Sequence, residues 1–301
     1  MSNFLRKVIL RFYSYYLLVQ KVIKNTVLKY LSYIAQFSFF QIKTNGLKEI
    51  ITLNRRNISN IEYFINIEDY KNSNDYYGLP KNILKKIDRP INNFPTYSDL
   101  ISKLFQLLKK NVENINYIEI GVSVLKNFYT IAMISQSNNL FAFDINDINQ
   151  TISKKFKLVN KTNKIQNFTF NENKITYFKG DVFYKNDLEN FKTMFKKANF
   201  IFSDAHHSYN GLISEYENLI NNSLDTYFIL YYDDLKGELL KAFLEISNKL
   251  SHKYNLTTLT FLINGWVGSN EKMHRNGIIS NLDVKNFLNE NDINLLNLKY
   301  Y

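Results

Sequence analysis

Two apolar, strand-like segments of this chain end abruptly in side chains that bind cations or transfer protons. The first segment, Phe-Ile-Phe-Ser, leads into Asp204, His206 and His207, and the second, Tyr-Phe-Ile-Leu-Tyr-Tyr, leads into Asp233 and Asp234. Carboxylates supply the oxygen ligands that Mg²⁺ prefers, and an imidazole with a reference pKa of about 6.5 exchanges protons near neutral pH. Two such endings predict one shared site.

Strands and helices that alternate from residue 97 onward would position these side chains. The hydrophobic periodicity predicts helices over residues 98–110, 126–135, 187–197, 209–221 and 235–250. Strands are predicted over residues 117–120, 140–145 and 175–178, and in the segments that end at Asp204 and Asp233. This alternation predicts an α/β, Rossmann-like, doubly wound and mostly parallel sheet, in which ligands bind beyond the carboxyl ends of the strands. Residues 256–264 and 276–280 have no helix between them and predict an antiparallel pair at the sheet edge.

The ends of the first three predicted strands carry a pattern that suits a nucleotide-like cofactor. The first strand contains Glu119 and ends at Gly121, before a helix whose N-terminus attracts anionic groups. Asp144 ends the second strand, where its carboxylate would accept hydrogen bonds from both hydroxyls of a ribose. Asp181 follows the third strand.

The order of these motifs resembles that of the class I S-adenosylmethionine-dependent methyltransferases over roughly residues 97–290. Within that superfamily, the run from Asp204 to Tyr209 (Asp-Ala-His-His-Ser-Tyr) and the later Tyr-Tyr-Asp-Asp resemble the metal-dependent sugar O-methyltransferases of the macrocin and mycinamicin type. The resemblance implies S-adenosylmethionine and Mg²⁺ as cofactors. It implies that Asp204, Asp233 and Asp234 bind the metal ion and that His207 is the general base. It also implies that the cofactor contacts Glu119, Gly121, Ser123, Asp144 and Asp181.

The chain departs from that family at two positions. The family has further glycines after the first, whereas Ser123, Val124, Leu125 and Lys126 follow Gly121 here, and their bulk would crowd the cofactor. In the run after Asp204, a histidine at position 206 replaces the usual second acid, and neighbouring residues in extended backbone point to opposite faces. His206 is therefore not expected to bind the metal together with His207.

Other interpretations of the same residues stay open. Asp233 and Asp234 could simply cap the helix predicted to begin at residue 235, and Glu119 and Asp144 could be turn residues. His252, His274 and Trp266 have no converging partner in the sequence, so no role is assigned to these three residues.

Composition narrows the class of protein. The 301 residues are 45% hydrophobic, which is ample for a packed core, and include no cysteine. Disulfides, thiolate metal sites and cysteine nucleophiles are thereby excluded, and a reducing, cytoplasmic compartment is favoured.

The net charge of +11 is concentrated near the N-terminus, where the first acidic residue is Glu49. Residues 1–42 predict a basic amphipathic helix that could lie on a membrane, bind an acidic partner or pack on the protein. Charges interrupt every window long enough to span a bilayer, and no cleavage site typical of a signal peptide follows the apolar run. Residues 43–95 read as a polar connection, so we expect a 1–95 extension and a 96–301 methyltransferase-like domain.

These observations lead to one main hypothesis and two alternatives. The main hypothesis is a Mg²⁺-assisted O-methyltransferase that acts on a hydroxyl of a sugar, glycan or glycosylated small molecule, as a monomer or a homo-oligomer. The first alternative is a non-catalytic binding or scaffold protein of the same fold, docked on a membrane through its N-terminal helix. The second is an RNA methyltransferase, which ranks last because no recognised RNA-binding module accompanies the basic charge.

Overall fold

The computed structural model describes residues 45–62, 95–123, 125–265 and 273–301 of the chain. All of them belong to one compact unit, Lys43–Tyr301. The predicted basic helix over residues 1–42, most of the predicted connection and the loop around residue 266 lie outside the described residues. No helix in the described ranges has the length and apolar character needed to cross a membrane.

The described strands form a single sheet, in the order β10-β8-β9-β7-β6-β1-β2-β5-β4-β3. In chain order the strands are β1 (Asn116–Ile120), β2 (Asn139–Asp144), β3 (Lys157–Lys161), β4 (Ile165–Phe170), β5 (Asn173–Lys179), β6 (Ala198–Ser203), β7 (Leu224–Tyr232), β8 (Thr257–Asn264), β9 (Met273–Ser280) and β10 (Leu296–Tyr300).

The centre of the sheet confirms the predicted Rossmann-like, doubly wound fold. Neighbours among β5, β2, β1, β6 and β7 all pair in parallel, and the chain winds outward from β1 in both directions. The predicted antiparallel pair is formed by β8 and β9, with β9 between β7 and β8. The prediction missed β10, beyond β8, and the hairpin of β3 and β4, beyond β5. All five residues of β3 are exposed, so this strand lacks the buried apolar run that indicates a strand.

Eight described helices accompany the sheet, and five of them correspond to predicted helices, although the one predicted over residues 187–197 ends at residue 192. They are α1 (Lys48–Glu62), α2 (Tyr97–Lys109), α3 (Lys126–Ile134), α4 (Gln150–Ser153), α5 (Lys185–Lys192), α6 (Tyr209–Glu215), α7 (Glu238–Ser251) and α8 (Val284–Glu290). A π-helical turn, Tyr216–Ile220, continues α6. The sequence analysis did not predict α1, α4 or α8.

A buried polar cluster attaches α1 to the rest of the unit. The guanidinium of Arg55 donates two hydrogen bonds to the Asp99 carboxylate, at 3.0 and 2.9 Å, and Asn54 donates a third at 2.9 Å. Asp99 also accepts from the backbone N–H of Thr96 at 2.8 Å and so caps the start of α2. These polar residues lie on the buried face of α1, which explains why hydrophobic periodicity did not reveal this helix. The boundary between residues 95 and 96 stays a prediction.

Both faces of the central sheet are buried. Tyr117 of β1 packs in the apolar cluster that includes residues of α2 and α3, whereas its neighbour Ile118 packs in the cluster that includes residues of α5 and α7. Parallel strands covered on both faces carry nearly continuous apolar runs. The polar residues that follow β1, β2, β6 and β7 therefore reach solvent only at the strand ends.

Candidate functional site

Four of the predicted site residues lie together at the carboxyl edge of the sheet. Asp144 ends β2, and Gly121, Asp204 and Asp233 directly follow β1, β6 and β7. The last residue of β1 pairs with β2 and with the last residue of β6, which in turn pairs with the last residue of β7. The chain winds in opposite directions on either side of the boundary between β1 and β6. In open α/β sheets, this reversal opens a crevice in which ligands bind.

Gly121 lets the end of β1 approach the end of β6. Its φ is +86°, and a Cβ atom at this position would lie 2.4 Å from the carbonyl oxygen of Asp204. The turn after it contains Ser123 at φ +45° and Leu125 at φ +66°, both in the left-handed region that glycine normally occupies. Leu125 is fully buried in the core, so its bulk is directed into the protein and not into the crevice.

Asp144 accepts a hydrogen bond from the turn that follows β1. Its Oδ2 atom accepts a hydrogen bond from the backbone N–H of Ser123 at 2.8 Å, and its Oδ1 accepts one from Asn146 at 2.9 Å. The residue is 8% exposed, and burial raises the pKa of its carboxyl. Asp181 shapes the loop after β5 in a similar way, because its Oδ1 accepts the N–H of Phe183 at 2.9 Å.

Glu119 is buried within β1. Its Oε2 atom accepts hydrogen bonds from the Tyr117 hydroxyl at 2.5 Å and from Asn127 Nδ2 at 2.8 Å. Burial raises the pKa of Glu119 to about 8, so this acid is mostly neutral at pH 7.

His207 lies between two acids of the crevice. Its Nε2 atom is 3.5 Å from Asp204 Oδ1, and its Nδ1 atom is 3.4 Å from Asp234 Oδ2. The two carboxylates raise the pKa of His207 to about 10, so in this arrangement both ring nitrogens are protonated and the ring is positively charged at neutral pH. Burial raises the pKa of Asp204 to about 7, and the nearby charge of Asp233 acts in the same direction.

The two adjacent acids after β7 converge because the backbone leaves the extended conformation there. Asp234 has a φ of +54°, and its backbone N–H donates to Asp233 Oδ1 at 2.7 Å. The side chain of Asp233 is only 4% exposed. The interpretation of this pair as a helix cap is wrong, because α7 begins at Glu238 and is preceded by Gly237.

His274 is a site residue that the sequence analysis missed. Its Nδ1 atom lies 3.3 Å from Asp233 Oδ2 and 3.6 Å from Asp234 Oδ1. Among the residues that the structure describes, these three form a group that could hold a metal ion, and Asp204 is not part of that group. The sequence analysis assigned His274 no role because the position of β9 beside β7 comes from long-range pairing. Asn276, two residues on, also contacts Asp233, so the period of a strand was an available signal.

The structure also shows the surroundings of Tyr97 and His206. Tyr97 is buried, and burial together with the charges of Asp204 and Asp233 raises the pKa of its hydroxyl well above the ordinary value. This tyrosine therefore lies near the acids, although the sequence analysis gave it no role. His206 is exposed, with its Nδ1 atom 2.8 Å from Ser208 Oγ and its ring against Phe183.

Glu215 is a buried acid behind the cluster. Its Oε2 atom accepts a hydrogen bond at 2.6 Å from Oγ of Ser203, the residue directly before Asp204 in the chain. The residue is fully buried, and this burial raises the pKa of Glu215 to about 8.

Comparison with known proteins gives structural likeness without close relatives. No protein-family model matches the chain, and none of the curated proteins does. An O-methyltransferase from Bacillus cereus in complex with SAH is 12% identical, with 83% of this chain and 96% of that chain covered and a TM-score of 0.43. The O-methyltransferase TomG from Streptomyces achromogenes, in complex with SAM, is 11% identical, with 73% and 97% covered and a TM-score of 0.40.

MycE, a methyltransferase of the mycinamycin biosynthetic pathway solved with Mg and SAH, is 12% identical, with 45% of this chain and 31% of that chain covered and a TM-score of 0.32. At such low identity and partial superposition, these likenesses do not decide what this chain does.

Proposed function

We propose that this protein is an S-adenosylmethionine-dependent O-methyltransferase, assisted by a divalent cation, whose acceptor is a hydroxyl of a sugar, glycan or glycosylated small molecule. One observation carries the proposal. The glycine turn after β1 and the acids after β6 and β7 share a single crevice, and Gly121 touches the backbone of Asp204. A cofactor on the turn would therefore lie beside acids and an imidazole that can bind and deprotonate a hydroxyl.

The residues around the turn fit a nucleoside cofactor. Asp144, which accepts hydrogen bonds from the backbone amides of Ser123 and Asn146, ends β2, where its carboxylate would face the hydroxyls of a ribose. Ile145, which follows it, is 59% exposed and offers an apolar surface for a base. Bound S-adenosylmethionine would supply a methyl group on a positively charged sulfur. The chain's own part is to hold the acceptor oxygen in line with that methyl group.

The acids fit a divalent cation. Asp233 and Asp234 present oxygen atoms toward the same side, and Asp204 adds a third carboxylate across His207. Oxygen donors of this kind suit Mg²⁺, the ion that the sequence pattern indicates. A cation bound there would make a coordinated hydroxyl more acidic.

His207 is the residue that we assign as the general base. Its ring is about one-third exposed and is oriented by a carboxylate on each side. A base must be neutral before it can accept a proton, and the two carboxylates hold the pKa of His207 at about 10. The ring therefore becomes a base only when the charges of Asp204 and Asp234 are compensated, as they would be beside a bound cation.

One observation favours a second candidate function. Asp144 is 92% buried and holds the backbone of the turn, as it would in a protein of this fold that binds no cofactor. A non-catalytic binding protein is therefore the alternative. Calorimetry with S-adenosylmethionine separates the two, because the absence of binding at millimolar cofactor rules out the enzyme.

The test of the enzyme compares two adjacent histidines. His207→Ala should lower methyl transfer by about 10²- to 10⁴-fold, the usual contribution of a general base, and leave the cofactor affinity unchanged. His206→Ala is the matched control and should stay within a few-fold of the wild type. The assay uses isotope-labelled S-adenosylmethionine with extracts of metabolites or glycans, with and without Mg²⁺. Full activity of His207→Ala would remove the base assignment.

A further inference from the structure

His274 adds a nitrogen donor to the two acids after β7. One donor atom from each of the three residues lies within 4.8 Å of the other two, and Nδ1 of His274 is 3.3 and 3.6 Å from the nearest oxygens. Ligand atoms about 2.1 Å from a common ion, at angles of about 90° to 110°, lie about 3.0 to 3.5 Å apart. The two spacings from His274 are thus close to those of a ligand set, and Lys236, which donates to Asp234 Oδ1 at 2.7 Å, would have to give way to a bound ion.

Hydrogen bonds to its other carboxylate oxygen orient Asp233 toward His274. Its Oδ1 atom accepts the backbone N–H of Asp234 and the side-chain amide of Asn276. The amide oxygen of Asn276 in turn accepts the hydroxyl of Tyr231 at 2.6 Å. The second oxygen, Oδ2, is left facing His274. Such outer hydrogen bonds are the usual means by which a protein fixes the orientation of a metal ligand.

The donor set differs from the oxygen-only set that the sequence predicts. Mg²⁺ favours oxygen ligands and keeps several waters, whereas an imidazole nitrogen suits first-row transition ions. Asp204, which the sequence pattern makes a ligand, pairs with His207 and lies outside the converging group. In the converging group, the third donor atom is therefore a nitrogen in place of a third carboxylate oxygen.

We infer that Asp233, Asp234 and His274 bind a first-row divalent transition ion, such as Mn²⁺, in preference to Mg²⁺. The inference deepens the proposed function, on which it rests for the use of the ion, because it names the ion of the same site. It also makes His274 a ligand supplied by the antiparallel strand β9.

The first measurement uses the full chain with Mn²⁺ alone, without cofactor or acceptor. Electron paramagnetic resonance gives the Mn²⁺ dissociation constant, and competition gives that of Mg²⁺. We expect Mn²⁺ to bind at least about tenfold more tightly, with nitrogen coupling from one imidazole in the pulsed spectrum. Equal affinities, no binding at millimolar Mn²⁺, or a spectrum without nitrogen coupling would each overturn the inference.

Variants identify the ligands. His274→Ala should lose the preference for Mn²⁺ and the nitrogen coupling, whereas the matched control His252→Ala, at an exposed histidine after α7, should keep both. Asp204→Asn should keep the nitrogen coupling and weaken Mn²⁺ binding less than His274→Ala does, because this acid is outside the group; a larger loss than that of His274→Ala would favour the oxygen-only site. His207 also lies beside Asp234, at 3.4 Å, so nitrogen coupling that persists in a folded His274→Ala variant would come from another ring and would overturn the inference.

Failure of this inference is distinguishable from failure of the proposed function. Methyl transfer with Mg²⁺ and no selective Mn²⁺ binding would overturn the inference and leave the function standing. Selective Mn²⁺ binding with nitrogen coupling, in a chain that binds no S-adenosylmethionine, would support the ion site and overturn the function.

Discussion

The two sides of the crevice use their acids in different ways. On the side of β1, β2 and β5, the carboxylates of Glu119, Asp144 and Asp181 accept hydrogen bonds from neighbouring protein groups at 2.5 to 2.9 Å. On the side of β6, β7 and β9, the carboxylates and imidazoles face one another at 3.3 to 3.6 Å.

This difference separates two tasks. Acids that hold backbone amides fix the shape of a turn, and they contribute to a ligand site mainly by building its walls. Acids that face other charged groups are held close together in spite of their repulsion, which leaves them ready to bind a cation or exchange protons. The acids on the first side of the crevice thus have a structural role, and the second side is where chemistry would occur.

Gly121 joins the two sides, and its substitution should lower both the stability of the protein and its affinity for the cofactor. In Gly121→Ala the new Cβ would lie 2.4 Å from the backbone of Asp204, and the φ of +86° would be strained. We expect a loss of about 3 kcal/mol or more in the free energy of unfolding, together with weaker cofactor binding. Denaturant unfolding measures the first quantity and calorimetry the second.

The control for this substitution is Gly237→Ala. That glycine also has a positive φ, +50°, but no atom lies within 4 Å of the added Cβ. It should cost about 1 to 3 kcal/mol, the strain of the backbone alone at φ +50° and ψ −117°. Equal losses for the two variants would mean that strain, and not the contact between the strand ends, makes Gly121 necessary.

Glu215 tests the electrostatics of the chemical side. Because burial raises its pKa from 4.5 to about 8, the folded protein binds a proton that the unfolded chain releases between those values. Stability is therefore lost as the pH rises from about 4.5 to about 8, by about 5 kcal/mol at most. Glu215→Gln does not titrate, so its stability relative to the wild type should increase over that window.

The measurement is chemical denaturation at several pH values. Glu217→Gln, an exposed acid two positions later, is the control and should follow the wild type at every pH. Parallel profiles for the wild type and Glu215→Gln would show that Glu215 is ionised in the folded protein.

Asp144 tests the side of β1, β2 and β5, and its substitution should change stability the least of the three. Asp144→Asn turns one carboxylate oxygen into an amide donor that faces a backbone N–H, so the hydrogen bond from Ser123 or the one from Asn146 is lost. We expect a loss of about 1 to 3 kcal/mol in stability and about tenfold weaker binding of S-adenosylmethionine. Calorimetry of the purified variant measures the affinity.

Asp147→Asn is the matched control for this effect. Its side chain is 75% exposed and its ion pair with Lys179, at 3.0 Å, lies at the surface. Such pairs contribute about 0 to 1 kcal/mol, so this variant should bind the cofactor as the wild type does. If Asp144→Asn also binds the cofactor normally, then Asp144 serves only the turn.

The sequence predicted the central part of the fold well because its signals are local. The apolar run of β1 ends at a glycine, and the predicted strand over residues 117–120 matches Asn116–Ile120 to within one residue. The prediction failed for β3, whose residues are all exposed, and for α1, whose buried face carries Asn54 and Arg55. A pattern based on buried apolar residues cannot identify elements that bury polar side chains or few side chains.

The candidate site was predictable in part for the same reason. Asp204 and Asp233 could be placed together because parallel strands carry their carboxyl ends to one edge of the sheet. His274 and Tyr97 could not be placed there. Each reaches the acids through contacts with residues more than thirty positions away, and no local pattern in the chain specifies those contacts.

The sequence by itself determined which polar residues end the buried strands, since a strand covered on both faces exposes its polar groups only at its ends. The tertiary structure alone decided their partners and protonation. The pairing of β9 with β7 brings His274 to Asp233 and Asp234. Burial between packed layers raises the pKa of Glu119 and Glu215. Pairing and desolvation depend on groups that are distant in sequence, so they exist only once the chain has folded.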